Sequence, residues 1–221
     1  MNRTTFLVDG FNLYHSLKRA SQELASAGGY DPRTVQRGTK WLDLRGLCES
    51  HLYLVGKDAT LERIYYFSAL AKHMEPRRPG TLARHRAYLS CLKNGGVEVE
   101  LSRFKRKERF CPKCFTRNIQ YEEKETDVAL AAKLLELLHR DECETVVLMT
   151  GDTDIAPAIR TAQRLFSGCG LVLMFPFRRK NDELAKLGRS FTLSRDAYVK
   201  NQLPDPVTLT DGTIVAKPPA W

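Results

Sequence analysis

The residues best suited to chemistry in this chain are four aspartates, Asp9, Asp127, Asp152 and Asp154, with Asn12 three positions after the first. Asp9 stops a short apolar run. Asp152 and Asp154 follow another, within Thr-Gly-Asp-Thr-Asp, and Asp127 opens a stretch of helical periodicity. Carboxylates gathered in one cleft repel, and each raises the pKa of its neighbours. A hard divalent cation, Mg2+ or Mn2+, takes oxygen ligands and neutralises that charge. A cation so held polarises a phosphodiester, lowers the pKa of a bound water and stabilises the leaving oxygen. Asn12 adds a neutral oxygen or amide from the first turn of the following helix. The predicted chemistry is phosphodiester hydrolysis.

These side chains meet only if the fold brings distant segments together. Residues 5–8, 61–69, 97–104, 145–149 and 171–175 read as strands. Residues 12–27, 41–54, 81–93, 126–139 and 154–166 read as helices between them. Short helices follow at 183–187 and 195–201, with a short strand at 190–193. Residues 105–121 are polar, basic and cysteine-containing and read as a loop or small insert. Strands alternating with helices predict a parallel sheet covered on both faces, an α/β fold. Residues 1–200 read as one domain, insert included, and residues 201–221 as an irregular tail. Ligands of such a sheet bind beyond the carboxyl ends of its strands, where the strand order reverses. A central first strand with the fourth beside it puts Asp9 and Asp152 in that crevice, and the helix from 126 must start at the same edge. Each aspartate also has a plain structural role open to it: a turn at Asp9-Gly10, a helix cap at Asp154, a favourable dipole at Asp127. Their joint occurrence at strand ends is what points to a site.

Lys and Arg number 35 against 26 acids, a formal charge of +9. That balance favours polyanionic partners, nucleic acid before anionic membrane. No apolar run is long enough to cross a membrane, and the N-terminal residues reach Asp9 too soon to read as a secretory leader. A cytoplasmic protein with reduced thiols is expected. Arg103, Lys105, Arg106, Lys107 and Arg109 crowd one stretch, with Phe104, Phe110, Phe115 and Tyr121 interleaved, a composition suited to single-stranded nucleic acid. The alternative is a solvated loop whose aromatics anchor it. Arg178, Arg179 and Lys180 follow the fifth strand, on the same edge as the acids. Cys111-Pro112-Lys113-Cys114 has the spacing of half a zinc knuckle. Zn2+ there needs ligands from Cys91, a histidine or another copy of the chain, and a metal-free loop is the competing reading. His15 is expected on the surface of its helix or partly buried, and Trp221 either packs the tail down or lies loose.

Three blocks carry a resemblance. VDGFNLYHSL at 8–17 resembles the opening signature of NYN domains, the LabA-like branch of the PIN-like nucleases. EEKETDVALAAKLLE at 122–136 and LMTGDTDIAPAIR at 148–160 resemble the family's second and third blocks, in order. The resemblance implies a PIN-like Rossmannoid three-layer sandwich with a mostly parallel sheet of order 3-2-1-4-5. It also implies Mg2+- or Mn2+-dependent cleavage of RNA. Asp9, Asp127, Asp152 and Asp154 would be the acidic metal-site residues, Asp154 acting through water, with Asn12 lending an amide and Thr150 beside them. One departure is that PIN sites often use a glutamate from the middle helix, where this chain has Asp127. A non-catalytic RNA-binding or regulatory protein that kept the fold is the alternative, and a homo-oligomer is open.

Overall fold

Alternation along the first strand explains the centre of the molecule. In β1 (Asn2–Asp9), Phe6 and Val8 enter one apolar cluster and Leu7 the other, and all three are fully buried. Successive strand side chains point to opposite faces, so a strand covered on both sides is apolar throughout. Truncating Leu7 to Ala would cost about 2–5 kcal/mol.

The computed structural model describes residues 1–26, 30–110, 112–113 and 115–221, with only the backbone of 36 and 37. The expected helix end at 27–29 and the Cys111/Cys114 half-knuckle fall outside the described residues. After β1 come α1 (Gly10–Ser26), α2 (Pro32–Arg37), α3 (Leu44–Glu49), β2 (Ala59–Ala69), α4 (Thr81–Asn94), β3 (Glu98–Phe110) and β4 (Arg117–Lys124). Then follow α5 (Thr126–His139), β5 (Thr145–Met149), α6 (Ala156–Leu165), β6 (Gly170–Phe175), α7 (Asp182–Ala185), β7 (Arg189–Thr192), α8 (Arg195–Lys200), β8 (Val207–Thr208) and β9 (Ile214–Val215). The main sheet has seven strands in the order β4-β3-β2-β1-β5-β6-β7, parallel except where β4 pairs with β3. Leu13 and Leu17 of α1, Leu44 and Leu47 of α3, and Leu89 and Leu92 of α4 pack on one face. Leu130 and Leu134 of α5 and Ile159 of α6 pack on the other. No helix among the described residues is long and apolar enough to cross a membrane.

The structure departs from the sequence reading most at 105–121. Residues 105–110 and 117–121 are strand rather than loop. β3 continues to Phe110 and turns back antiparallel as β4, Arg103 facing Lys124 and Phe110 facing Arg117. The parallel pairing of β3 with β2 ends at Ala69–Ser102, so the hairpin runs on beyond the carboxyl edge of the sheet. Its basic residues at 103, 105, 107 and 109 alternate with other side chains, a period of two masked in the sequence by the high charge. The helix expected at 41–54 is shortened to α3, because the Asp43 carboxylate accepts the Gly46 N–H at 3.0 Å and caps it there. α2 is not among the expected helices, although Asp31 followed by Pro32 is a cap-and-first-turn signal. The tail forms the small β8–β9 hairpin, and Trp221 packs edge-on against Trp41 and Tyr88.

Candidate active site

Asp9 owes its position to a strand that becomes a helix with no loop between them. α1 starts at Gly10, where a Cβ would meet the Phe67 carbonyl oxygen and the Tyr66 ring at 2.6 Å, so only glycine fits. The turn leaves Asp9 buried at the carboxyl end of β1, its Oδ1 accepting the Asn12 N–H at 2.9 Å. Beside it β5 ends at Met149, paired with Val8. From β1 the chain lays β2 and β3 to one side, and β5 and β6 to the other. The order therefore reverses between β1 and β5, the crevice where ligands of open α/β sheets bind.

The loop after β5 is tied to Asp9 and to α1. Thr150, buried, donates its hydroxyl to Asp9 Oδ2 at 2.9 Å and accepts the Asp152 N–H at 3.1 Å. Asn12 Oδ1 accepts the Gly151 N–H at 3.2 Å. Asp152 Oδ1 accepts the Asp154 N–H at 3.2 Å, capping the short 3-10 turn Thr153–Ile155. A Cβ on Gly151 would run into the carbonyl oxygen of Arg179, so the loop after β6 presses on this one. The cap expected at Asp154 is taken instead by Asp152, and α6 itself starts at Ala156 with no side-chain cap; such local roles coexist with the gathering of charge.

Asp127 arrives from the opposite helical layer, in the first turn of α5. Glu123 prepares that helix start by accepting both the N–H and the hydroxyl of Thr126. Burial first, then the charges of Asp9, Asp152, Glu123 and Asp154, push the Asp127 carboxyl up to about 6. Burial also raises Asp9, opposed by its hydrogen bonds from Asn12 and Thr150 and reinforced by Asp152. No ion pair among the described residues includes Asp9, Asp127, Asp152 or Asp154. Asp127 and Asp9 thus feel neighbouring carboxylates with no ion pair among the described residues to offset them.

Among the described residues no three His, Cys, Asp or Glu side chains stand close enough together to form a ready metal cage. The donors nevertheless fit a hard divalent ion in kind, being carboxylate oxygens. Mg2+ characteristically keeps several waters and takes only one or two carboxylates from protein. Cys91, a suggested zinc partner for the half-knuckle, lies on α4 with its side chain buried in the apolar cluster.

The predicted cations divide sharply. Arg103 pairs with Glu125 at 2.7 Å, Arg106 with Glu108 at 2.9 Å, and both Lys107 and Arg109 with Glu122, at 3.3 and 2.9 Å. Arg178 pairs with Glu23 at 3.3 Å and Lys180 with Asp182 at 3.1 Å. Lys105 and Arg179 have no ion pair among the described residues. The hairpin aromatics also divide. Tyr121 stacks on His73 at 4.3 Å, and Phe104 meets His73 and Phe11, anchoring the hairpin beside the start of α1. Phe110 and Phe115 stay exposed.

Sequence reasoning missed Lys18 and Arg19, which the fold brings to Arg178 and Arg179. Lys18 and the exposed His15, three apart on α1, line a groove with Arg19, Arg178 and Arg179. Burial and the charges of Arg179 and Lys18 lower the His15 pKa, while Asp9 pulls it up. Burial, then Lys18 and Arg84, lowers that of Lys40. Lys18 is thus felt by both His15 and Lys40, and Arg84 by Lys40. Only the i, i+3 spacing of His15 and Lys18 is visible in the sequence.

A family model described as NYN domain matches residues 3–193. No curated protein matches the chain. Among solved structures, a protein of unknown function from Vibrio parahaemolyticus is similar, with 15% identity and a TM-score of 0.55 over 91% of this chain and 96% of that one. At that identity the likeness concerns the fold alone.

Proposed function

This chain belongs to the NYN domain family, and on that premise we propose that it is a divalent-metal-dependent ribonuclease. The observation that carries the reading is the rim of unpaired carboxylates, with Asp127 raised to about 6 by burial and by its acidic neighbours. Uncompensated charge of this kind is costly unless a cation completes it. In this reading Asp9, Asp127 and Asp152 would hold Mg2+ or Mn2+, with Asp154 acting through water. When bound, the ion would lower the pKa of a water and stabilise charge on the phosphodiester. The chain's own residues set the stage. Thr150 and the Asn12 backbone fix both oxygens of Asp9, and the Asn12 side chain holds the loop carrying Asp152. Lys18 and Arg179 line the neighbouring groove, suited to phosphates of a strand passing the acids. The hairpin of β3 and β4 would wall the same edge. RNA as the substrate, and zinc at Cys111 and Cys114, rest on the sequence resemblance and the Cys-x-x-Cys spacing.

A second reading, RNA binding without cleavage, is favoured by the lack of a ready three-ligand cage among the described residues. Cleavage of labelled single-stranded RNA by the purified protein decides between them, in Mn2+ or Mg2+ and in EDTA, alongside Asp9→Asn and Asp152→Asn. The nuclease reading expects cutting only by wild type with metal, and RNA binding retained in both variants. Binding without cutting in every metal would favour the second reading. Equal cutting by all three proteins would place the activity elsewhere.

A further inference from the structure

A cavity of about 340 Å3 is lined by Gly10 and Phe11, the two residues that follow Asp9. It lies between α1, the carboxyl end of β2, the 70–80 segment and α4. Its walls carry three cations, Lys40, Arg78 and Arg84, and no Asp or Glu side chain among the described residues. Lys40 and Arg78 have no ion pair there. Arg84 is steered by neutral acceptors only, the Pro79 carbonyl at 3.1 Å and the Thr81 hydroxyl at 3.1 Å. Glu75, an acid of the same segment, accepts the N–H groups of Gly80 and Leu82 at 2.6 and 2.8 Å and feels the charge of Arg84 without forming an ion pair with it. The same walls carry aromatic rings. Phe11, Tyr14 and Trp221 line the cavity over the buried Tyr66 and Tyr88, and Trp221 is held by Tyr88 at 5.5 Å. Ser68 and His85, 3.4 Å apart, add polar atoms.

Flat apolar walls together with unpaired cations suit a ligand with an aromatic plane and a phosphate. The volume is that of a small-molecule site. Position adds the rest. Phe11 and Gly10 directly follow Asp9, and a Cβ on Gly10 would touch the Tyr66 ring. We propose that this cavity seats one nucleotide of the bound strand, its base among Phe11, Tyr14 and Trp221 and its phosphate on Lys40, Arg78 and Arg84. The neighbouring phosphodiester is thereby presented to the acidic rim. The strand assignment rests on the ribonuclease reading, but occupancy of the cavity by a nucleotide does not.

The test titrates nucleoside monophosphates into the full chain in EDTA, followed by tryptophan fluorescence and equilibrium dialysis. Inorganic phosphate and the free nucleosides serve as comparison ligands. At least one monophosphate should bind at least about tenfold tighter than either part alone. Lys40→Ala with Arg78→Ala, both off the core, should weaken it by about tenfold or more at unchanged melting temperature. Asp9→Asn should bind it as wild type does. A short single-stranded RNA should displace it. Binding no tighter than phosphate, or undiminished in the folded double variant, would overturn the nucleotide site. Failure of RNA to compete would overturn the strand assignment. Nucleotide binding without any metal-dependent cleavage would leave this site standing and remove the nuclease reading instead.

Discussion

Thr150 Oγ1 sits 2.9 Å from Asp9 Oδ2 and 3.1 Å from the Asp152 backbone nitrogen, joining two strand ends 141 residues apart through one hydroxyl. Removing it strips a donor from a buried carboxylate and an acceptor from a loop N–H. Thr150→Val should cost about 1–3 kcal/mol of stability and weaken Mn2+ binding about tenfold or more. Thr150→Ser, which keeps the hydroxyl, should restore most of both. Denaturant unfolding and a Mn2+ binding isotherm check this, and indistinguishable Val and Ser variants would count against the hydroxyl's role.

Gly151 has no room for a methyl group, because the Arg179 carbonyl occupies that place. Gly151→Ala must move the loop that carries Asp152. The expected effect is about 1–3 kcal/mol of destabilisation and a fall in cleavage of about a hundredfold for a displacement near 1 Å. Gly168, where an added methyl would meet nothing within 4 Å among the described residues, is the control. Gly168→Ala should leave kcat/KM unchanged.

Glu122 holds Lys107, Arg109 and Lys124 at once, and their hydrogen bonds bring its carboxyl down to about 2. The hairpin's positive charge is therefore largely spoken for. Glu122→Gln should free it and tighten binding of single-stranded RNA. The salt dependence should steepen by about 0.7 in log–log slope for each phosphate newly met. Filter binding across a salt series reads both, and an unchanged slope would show that the strand does not touch this face.

Asp127 gives a pH signature in the metal-free protein. Its folded pKa of about 6 lies above the ordinary 3.8, so the folded state binds the proton more tightly than the unfolded one. Its ionisation then works against folding. The penalty grows as pH rises from about 4 to about 6 and is full above that. Asp127→Asn should stabilise the apo-protein at pH 7.5 by about 1–2 kcal/mol, allowing for solvent screening, with the gain shrinking toward pH 4. Saturating Mn2+ should reverse the order, since only the native site binds it. Melting curves at several pH values, with and without metal, test the sign.

The centre of this molecule is readable from its sequence because its strands obey simple rules. Phe6, Leu7 and Val8 are apolar on both faces and are followed by Asp9-Gly10, so strand end and turn can be placed from residues 5–10 alone. Thr-Gly-Asp-Thr-Asp after another apolar run is legible in the same way. The hairpin is not. Its exposed residues carry no apolar alternation, and its pairing partner lies across a turn. The basic groove is hidden for a different reason. Lys18 and Arg19 of α1 lie far along the chain from Arg178 and Arg179 and meet them only in the folded molecule. Conversely, the run at 103–109 reads as a free cationic patch and is largely neutralised by Glu122, Glu125 and Glu108. Charge counts read from sequence do not reveal pairing across strands.

The most direct measurement of the central claim is anomalous diffraction from a crystal of the wild-type protein soaked in Mn2+. The account predicts an ordered peak in the crevice between the ends of β1 and β5, bounded by Asp9, Asp127 and Asp152, and no peak there in Asp9→Asn. A Mn2+ peak only at sites remote from these carboxylates, in crystals of a protein that cuts RNA with Mn2+, would contradict it.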